Sequence, residues 1–264
     1  MRVLSVANQK GGVGKTTMVA HLAHLAIEDG HRVLLVDMDR QGSLSLYFGA
    51  GPPRPEEGAP DETASLFGRD EGAPLSPAPL GRRYPGCSIL RATTGLSEIQ
   101  AQDSSLIQAP RQHLRALEHD YDLVIIDTPG HLGFHPPTTI AGLVASDAVV
   151  SPCAVGLFET RALAELWQYL RRIRDDGYNP RLRLLGLLPS KVNTRSQAES
   201  NGLEMLRSSF GQAILPFTLA ERAAVKQALF DRAPVWRRPR GASHRRAARE
   251  WKGAMRHILT EIGL

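Results

Sequence analysis

Short apolar runs alternate with segments of helical periodicity along much of the chain. The runs at residues 3–7, 32–36, 88–90, 123–126, 148–150 and 182–188 predict buried strands. Apolar residues at helical spacing over 16–28, 108–118 and 159–174 predict helices between them. Strands that alternate with helices are typical of crossover connections, so we expect an α/β fold. It consists of a mainly parallel, twisted sheet flanked by helices on both faces.

Residues 50–86 interrupt this pattern with prolines, glycines and charged residues. Such a composition favours irregular structure, so we interpret the segment as a surface excursion. A chain of 264 residues fits one large α/β domain, and we expect a single domain over 1–264 with a basic helical region at 220–264.

Composition excludes several classes of protein. The two cysteines, Cys87 and Cys153, lie far apart, which argues against a disulfide scaffold, a zinc ribbon and a bound iron–sulfur cluster. Residues 1–7 lack the pattern of a signal peptide, and no run reaches the roughly 18 apolar residues of a transmembrane helix. We therefore expect a soluble cytoplasmic protein, and the net charge of +5 suggests an anionic partner.

A glycine-rich loop, Lys-Gly-Gly-Val-Gly-Lys-Thr-Thr at residues 10–17, stands between the first predicted strand and helix. Glycines let backbone N–H groups curl round phosphate oxygens at a helix N-terminus. Lys15 supplies a fixed cation, and the Thr16 hydroxyl suits Mg²⁺. The loop predicts an ATP and Mg²⁺ site, with nucleotide contacts from Gly11, Gly12, Val13, Gly14, Lys15, Thr16 and Thr17.

A second lysine, Lys10, opens this loop at a position where a plain P-loop does not require one. With it, the loop resembles the deviant phosphate loop of the ParA/MinD family of P-loop ATPases. Residues 37–42 (Asp-Met-Asp-Arg-Gln-Gly) look like the family's Asp-x-Asp-Pro-Gln-Gly, and residues 121–129 look like its second metal-binding strand. The resemblance is strong over 1–48 and 119–133 and loose over 180–240.

The resemblance implies roles for residues at matching positions. Lys10 would reach across an ATP-sandwich homodimer to the phosphates of the other subunit, and Asp39 would orient the attacking water beside the metal. Asp127 would hold Mg²⁺ through water, and Asn193 is a candidate adenine contact. Phosphoryl transfer needs positioning and charge neutralisation more than covalent chemistry. The implied catalytic residues are Lys10, Lys15 and Asp39, and the implied metal site is Thr16, Asp39 and Asp127.

Two positions depart from the family pattern and leave alternatives open. Arg40 replaces the usual proline after Asp39, and it either loosens that turn, adds a cation near the phosphates or is simply solvated. Residues 130–133, Gly-His-Leu-Gly, stand where the family often has Pro-Ser-Leu-Gly. His131 is then either a sensor of bound nucleotide or an ordinary residue of a switch loop.

The last quarter of the chain is rich in arginine and lysine and has few acidic residues. Residues 215–235 also resemble the stretch of partition ATPases that carries their nonspecific DNA-binding arginines. We interpret this region as a surface for DNA phosphates, the alternative being a solvated helix face. The candidate DNA contacts are Arg222, Lys226, Arg237, Arg238, Arg240, Arg245 and Arg246.

The last predicted helix is amphipathic, with Trp251, Met255, Ile258, Leu259 and Ile262 along one side. A basic amphipathic helix is the form used by peripheral membrane anchors, but such a stripe more often packs on its own domain. We expect packing in the core.

Taken with the resemblance, these features lead to the hypothesis of a ParA-type ATPase. ATP would drive a sandwich dimer, the dimer would bind DNA nonspecifically, and a ParB-like partner would stimulate hydrolysis during chromosome or plasmid partition. Such a protein would be nucleoid-associated, and no membrane partner is expected. The alternative is a MinD-like or related positioning ATPase that acts on a membrane or a protein scaffold.

Overall fold

The computed structural model describes residues 1–49, 61–68, 74–99, 105–133, 137–156 and 159–264. These residues contain one sheet of eight strands. The strands are β1 (Arg2–Val6), β2 (Val33–Asp37), β3 (Ala78–Pro79), β4 (Cys87–Leu90), β5 (Leu123–Asp127), β6 (Ala148–Cys153), β7 (Arg183–Val192) and β8 (Leu219–Ala220).

The strands lie in the order β3-β4-β2-β5-β1-β6-β7-β8, and all neighbouring pairs except β3 and β4 are parallel. In register, Val6 and Asp37 both lie opposite Asp127 at the carboxyl ends of β1, β2 and β5. The loops that leave these three strands therefore meet at one edge of the sheet, which is where ligands bind in open α/β sheets.

Helices cover both faces of the sheet, which confirms the predicted fold class. One core joins α1, α8 and α9 to the sheet, and two further cores on the opposite face contain α3 to α7. The helices are α1 (Lys15–Glu28), α2 (Ser43–Tyr47), α3 (Ser65–Gly68), α4 (Ser105–Arg115), α5 (Thr138–Ala145), α6 (Glu159–Asp175), α7 (Gln197–Phe210), α8 (Ala223–Phe230) and α9 (Gly241–Glu261).

The proline-rich segment is not a simple surface excursion in the part that the structure describes. Leu66 and Phe67 are buried against the sheet, and β3 pairs with β4 at its edge. β3 consists of Ala78 and Pro79 and pairs antiparallel with β4 at the edge of the sheet, which is where a strand tolerates proline. The prediction for residues 50–60 and 69–73 falls outside the described residues.

The apolar stripe of α9 packs in the core, as expected. Trp251, Met255, Ile258, Leu259 and Ile262 are all at most 5% exposed. They meet α1 and the sheet, so the helix closes one face of the fold. Within the described ranges, no helix is long and apolar enough to cross a membrane.

Candidate functional site

The phosphate loop connects β1 to α1 at the centre of the sheet. Gly12 and Gly14 have φ angles of 76° and 101°, a region of backbone conformation that favours glycine. Gly14 caps α1 without a side-chain hydrogen bond, so the first N–H groups of the helix are left for a ligand.

Two side-chain hydrogen bonds tie this loop to the distant strands β6 and β7. The Asn8 amide donates to the carbonyl of Pro152 at 2.8 Å, and its oxygen accepts from the Lys10 backbone N–H at 2.8 Å. The Ser190 hydroxyl donates to the carbonyl of Val13 at 2.7 Å. Sequence reasoning missed both supports, because each pairing joins residues that only the sheet order brings together.

Lys15 lies folded back across the loop. Its Nζ donates to the carbonyl of Lys10 at 3.1 Å, and the side chain is buried. Burial lowers the pKa of Lys15, whereas the nearby carboxylates of Asp127 and Asp39 raise it. The ammonium group is thus in place to meet phosphate oxygens within the loop.

Asp127 and Thr16 form the candidate metal position. The Thr16 hydroxyl donates to Oδ2 of Asp127 at 2.6 Å, and Oδ1 of this buried carboxyl has no hydrogen-bond partner in the described part of the chain. Burial, and then the charge of Asp37, raise the pKa of Asp127 to about 8. A buried oxygen without a partner beside a hydroxyl fits a divalent cation, which would supply the missing positive charge.

No three acidic, histidine or cysteine side chains converge as a metal site in the ranges that the structure describes. A cation beside Asp127 therefore depends on additional ligands such as phosphate oxygens and water, which is the usual situation for Mg²⁺ at phosphate sites.

The two aspartates after β2 have different positions. Asp37 is buried and accepts from the backbone N–H and hydroxyl of Ser45 at 2.8 and 2.7 Å, so it fixes the start of α2. Burial raises the pKa of Asp37 to about 6. Asp39 lies half-buried at the rim, where its Oδ1 accepts from the Gln41 N–H at 3.0 Å. Asp39 is thus the carboxylate of this segment with access to a bound ligand.

The loop after β5 lies against the phosphate loop. A Cβ atom at Gly130 would lie 3.3 Å from the backbone N of Gly11 and 3.5 Å from Nζ of Lys15. A side chain at this position would therefore crowd the backbone of the phosphate loop and the Lys15 ammonium group. The carbonyl of His131 accepts from the Thr139 hydroxyl at 2.8 Å, which anchors this loop to α5.

A cavity of about 100 Å³ lies beside the loop, between the ends of β7 and β8 and helices α8 and α9. Lys191, at a φ of 54°, extends its Nζ to the carbonyl of Gly12 at the cavity edge. Asn193 is not among the lining residues, since its side-chain oxygen accepts from the Arg195 N–H on an exposed turn. Its contact with adenine stays a prediction. The cavity lining includes Val13, Gly14, Thr17, Ser190, Lys191 and Trp251.

Lys10 lies at the outer rim of the loop. Its side chain is 53% exposed, and its ammonium group is paired with Glu159 at the start of α6. Lys10 is therefore solvent-accessible, whereas Lys15 is enclosed.

The candidate DNA contacts divide into two groups, according to whether the side chain is paired within the described part of the chain, and their contact with DNA stays a prediction. Arg222 forms a two-pronged ion pair with Glu250 at 2.6 and 3.1 Å, so its guanidinium holds α9 instead of facing solvent. Lys226 is paired with Glu221 at 2.9 Å. The remaining candidates are exposed and form no side-chain ion pair within the described residues: Arg237, Arg238, Arg240, Arg245 and Arg246.

Comparisons with known proteins agree with this architecture. A family model described as an AAA domain matches residues 1–184. The chain is 33% identical to the chromosome-partitioning ATPase Soj of Thermus thermophilus, over 95% of both chains. It is 30% identical to the chromosome partitioning protein ParA of Caulobacter vibrioides, over 89% of this chain and 86% of that protein.

A solved structure of similar fold is cobyrinic acid a,c-diamide synthase from Mycobacterium smegmatis with bound ADP and magnesium. It has a TM-score of 0.76 and 27% identity, and it covers 99% of this chain and 95% of that one. The phosphate loop with its second lysine, the aspartates at the strand ends and these similarities lead to one assignment. The chain belongs to the ParA/MinD family of P-loop ATPases.

Proposed function

We propose that this protein is a ParA-type ATPase that binds ATP with Mg²⁺ and forms a sandwich dimer. The dimer binds DNA nonspecifically and drives chromosome or plasmid partition, and a ParB-like protein stimulates hydrolysis. The observation that carries the DNA-binding part of this proposal is the group of exposed arginines around the N-terminus of α9, none of which forms an internal ion pair within the described residues.

The nucleotide chemistry follows from the loop and the strand ends. The glycine loop and the N-terminus of α1 hold the phosphates, and Lys15 neutralises their charge. Thr16 and Asp127 would hold the magnesium ion, and the bound ion would withdraw charge from the phosphate oxygens. Asp39 orients a water molecule for attack from the rim.

The position of Lys10 supports the dimerisation part of this proposal. A lysine buried in its own loop would serve one subunit only, whereas this side chain is half exposed at the outer rim. Once it leaves Glu159, its ammonium group can reach phosphates that another subunit presents. ATP bound between two subunits then favours the dimer by mass action, so nucleotide acts as a switch.

A second candidate function is a positioning ATPase that acts on a protein scaffold. The observation that favours it is the exposure of two large apolar side chains, Leu46 at 71% and Phe230 at 84%. The membrane version of this alternative has less support, because the apolar stripe of α9 faces the core.

DNA retention across a salt series separates these functions. With ATP, affinity should fall steeply as salt rises, and Arg237→Ala with Arg238→Ala should lower the slope by about one for each phosphate that the variant no longer neutralises. Arg171→Ala with Arg172→Ala is the matched control, since these exposed arginines lie on α6 at the opposite face. Equal effects of both pairs, or no ATP-dependent retention, would reject the DNA-binding proposal.

A further inference from the structure

Two histidines form a chain of hydrogen bonds between the phosphate-loop helix and the arginine-rich surface. His21 is fully buried on α1, with Nδ1 2.7 Å from the carbonyl of Thr17 and Nε2 3.2 Å from the backbone N of Val235. A backbone N–H can only donate, so Nε2 accepts, and Nδ1 carries the proton that it donates to Thr17. The tautomer of His21 is thereby fixed.

His244, in the first turn of α9, continues the chain by the same logic. Its Nδ1 accepts from the Arg240 backbone N–H at 3.1 Å, so its Nε2–H donates to the carbonyl of Val235 at 2.8 Å. The backbone of Val235 is therefore held between the two imidazole rings. The chain of bonds joins Thr17, His21, Val235, His244 and Arg240.

The two ends of this chain lie at the two functional surfaces. At one end, Thr17 lines the cavity beside the phosphate loop. Trp251 lines the same cavity and packs on His21, with ring centroids 4.4 Å apart. At the other end, Arg240 is one of the exposed arginines, and the loop that carries Arg237 and Arg238 lies between Val235 and Arg240.

A second bond holds the same loop to α1. The Trp236 indole N–H donates to the two carboxylate oxygens of Glu28 at 2.9 and 3.0 Å. The loop is thus connected to α1 through Val235 and Trp236 at its start, and to α9 through Arg240 at its end. Its strained position, Arg238 at a φ of 52°, lies between these attachments.

We propose that His21 and His244 are positioning residues that couple nucleotide occupancy to the placement of the arginine loop, and hence to affinity for DNA phosphates. This inference rests on the proposed function. Each bond is directional, and breaking one buried link leaves its partner without a hydrogen bond, which is unfavourable for a buried polar group. A shift of Thr17 on nucleotide binding is therefore transmitted along the chain of bonds instead of being absorbed.

Burial supports this arrangement by keeping the first imidazole neutral. Desolvation lowers the pKa of His21 to about 4, and the hydrogen bond to Thr17 opposes this only in part. At neutral pH the ring therefore keeps the acceptor nitrogen that the Val235 N–H requires.

The test measures the affinity of the protein for DNA twice, once in the presence of a nonhydrolysable ATP analogue and once in the presence of ADP. The ratio of these two affinities measures the coupling between nucleotide and DNA. His244→Leu removes both bonds of His244, whereas His244→Gln keeps a donor in reach of the Val235 carbonyl. His257→Leu, a half-buried histidine of α9 that contacts Phe217, is the matched control. We expect His244→Leu to reduce the ratio about 5- to 20-fold, His244→Gln to restore part of it and His257→Leu to leave it unchanged.

A merely structural role predicts a different result, because it would weaken DNA binding equally with both nucleotides. An unchanged ratio in His244→Leu, with arginine-dependent DNA binding intact, overturns the inference and leaves the proposed function standing. Wild-type protein that retains DNA with neither nucleotide overturns the proposed function as well.

A measurement on the wild-type protein makes the inference testable even where the leucine variant does not fold. The amide protons of Val235 and Arg240 are the two backbone donors to the histidines. We expect their hydrogen exchange to be at least about tenfold slower with the ATP analogue than with ADP. Equal exchange with the two nucleotides rejects the coupling.

Discussion

Lys10 and Glu159 form an ion pair that joins the phosphate loop to the first turn of α6. In the proposed function, Lys10 must leave this partner before it can reach the phosphates of another subunit. Half-exposed pairs of this kind contribute about 0.5–1 kcal/mol, which corresponds to roughly a two- to fivefold change in an equilibrium constant.

Glu159→Gln should therefore strengthen ATP-dependent dimerisation about two- to fivefold, as measured by sedimentation with an ATP analogue. Glu165→Gln is the control, because this residue lies on the same helix and pairs with the exposed Arg161. A dimer of unchanged or lower affinity in Glu159→Gln would contradict the competition between the two partners.

Substitutions of Asp39 and Lys15 should impair different properties, turnover in the first case and nucleotide binding in the second. Asp39→Ala should retain nucleotide and the dimer but lower turnover by about 10²-fold or more, since in the proposed function this carboxylate at the rim positions water. Lys15→Ala should lose nucleotide affinity, because in the proposed function the buried ammonium group of Lys15, which donates to the Lys10 carbonyl, neutralises the phosphates. Binding of a fluorescent ATP analogue and steady-state turnover measure the two effects, and normal turnover in Asp39→Ala would remove its assigned role.

Binding of ATP with Mg²⁺ should release a proton from Asp127 near neutral pH. The folded protein raises the pKa of this carboxyl to about 8, so below that pH it is mostly neutral. A cation beside it favours the charged form and lowers its pKa. Calorimetry in buffers of different ionisation enthalpy should detect proton release at pH 7 that fades above about pH 8. Asp127→Asn should abolish it, and equal release in this variant would assign the proton elsewhere.

Arg222→Ala should lower the free energy of unfolding and leave the affinity for DNA unchanged. Arg222→Ala leaves the partly buried Glu250 without its partner, so the free energy of unfolding should fall by about 1–3 kcal/mol in urea titrations. The exposed Lys226→Ala serves for comparison and should stay within about 0.5 kcal/mol. A change in the salt dependence of DNA binding in Arg222→Ala would restore this residue to the DNA surface.

Because His21 binds a proton more readily in the unfolded chain, the free energy of unfolding should fall as pH falls from 7 towards 4. Its pKa is about 4 when folded and 6.5 in the unfolded chain, so the unfolded state binds more protons between these values. The loss attributable to this group is about 2 kcal/mol at pH 5. Asp37 and Asp127 have raised pKa values and act in the opposite direction, with stability lost as pH rises through those values.

The contribution of His21 is isolated by comparing the wild type with His21→Leu in urea titrations at pH 7 and pH 5. The difference in the free energy of unfolding between the two proteins should shrink at pH 5. A difference that is the same at both pH values would show that His21 does not titrate in this way.

The sheet and the phosphate loop could be predicted from sequence because their signals are local. Apolar runs mark β1, β2 and β5, and the glycine pattern stands directly between a strand and a helix. Strands of two residues, such as β3 and β8, have no periodicity to detect and exist only through pairing with a neighbour.

The pairings of charged and polar side chains could not be predicted in this way. Arg222 and Arg237 look alike in the sequence, yet one is held by Glu250 and the other is exposed. His21 and Val235 are 214 positions apart, so their contact depends on α9 packing beside α1. Such contacts are set by tertiary packing, which composition and spacing do not encode.

The packing of α9 on α1 also has a consequence for biosynthesis. Arg256 pairs with Asp29, 227 positions earlier, and the buried Met255 and Ile258 share one core with Leu22 of α1. The ribosome must therefore release the segment up to and including α9, 227 positions beyond Asp29 at Arg256, before α9 can cover the first helix. Until then a nascent chain exposes apolar surface next to its phosphate loop, at the stage where chaperones bind and aggregation competes with folding. A chain that terminates before α9 would contain every residue of the phosphate loop, but its first helix would stay uncovered. Such a chain would be a substrate for degradation.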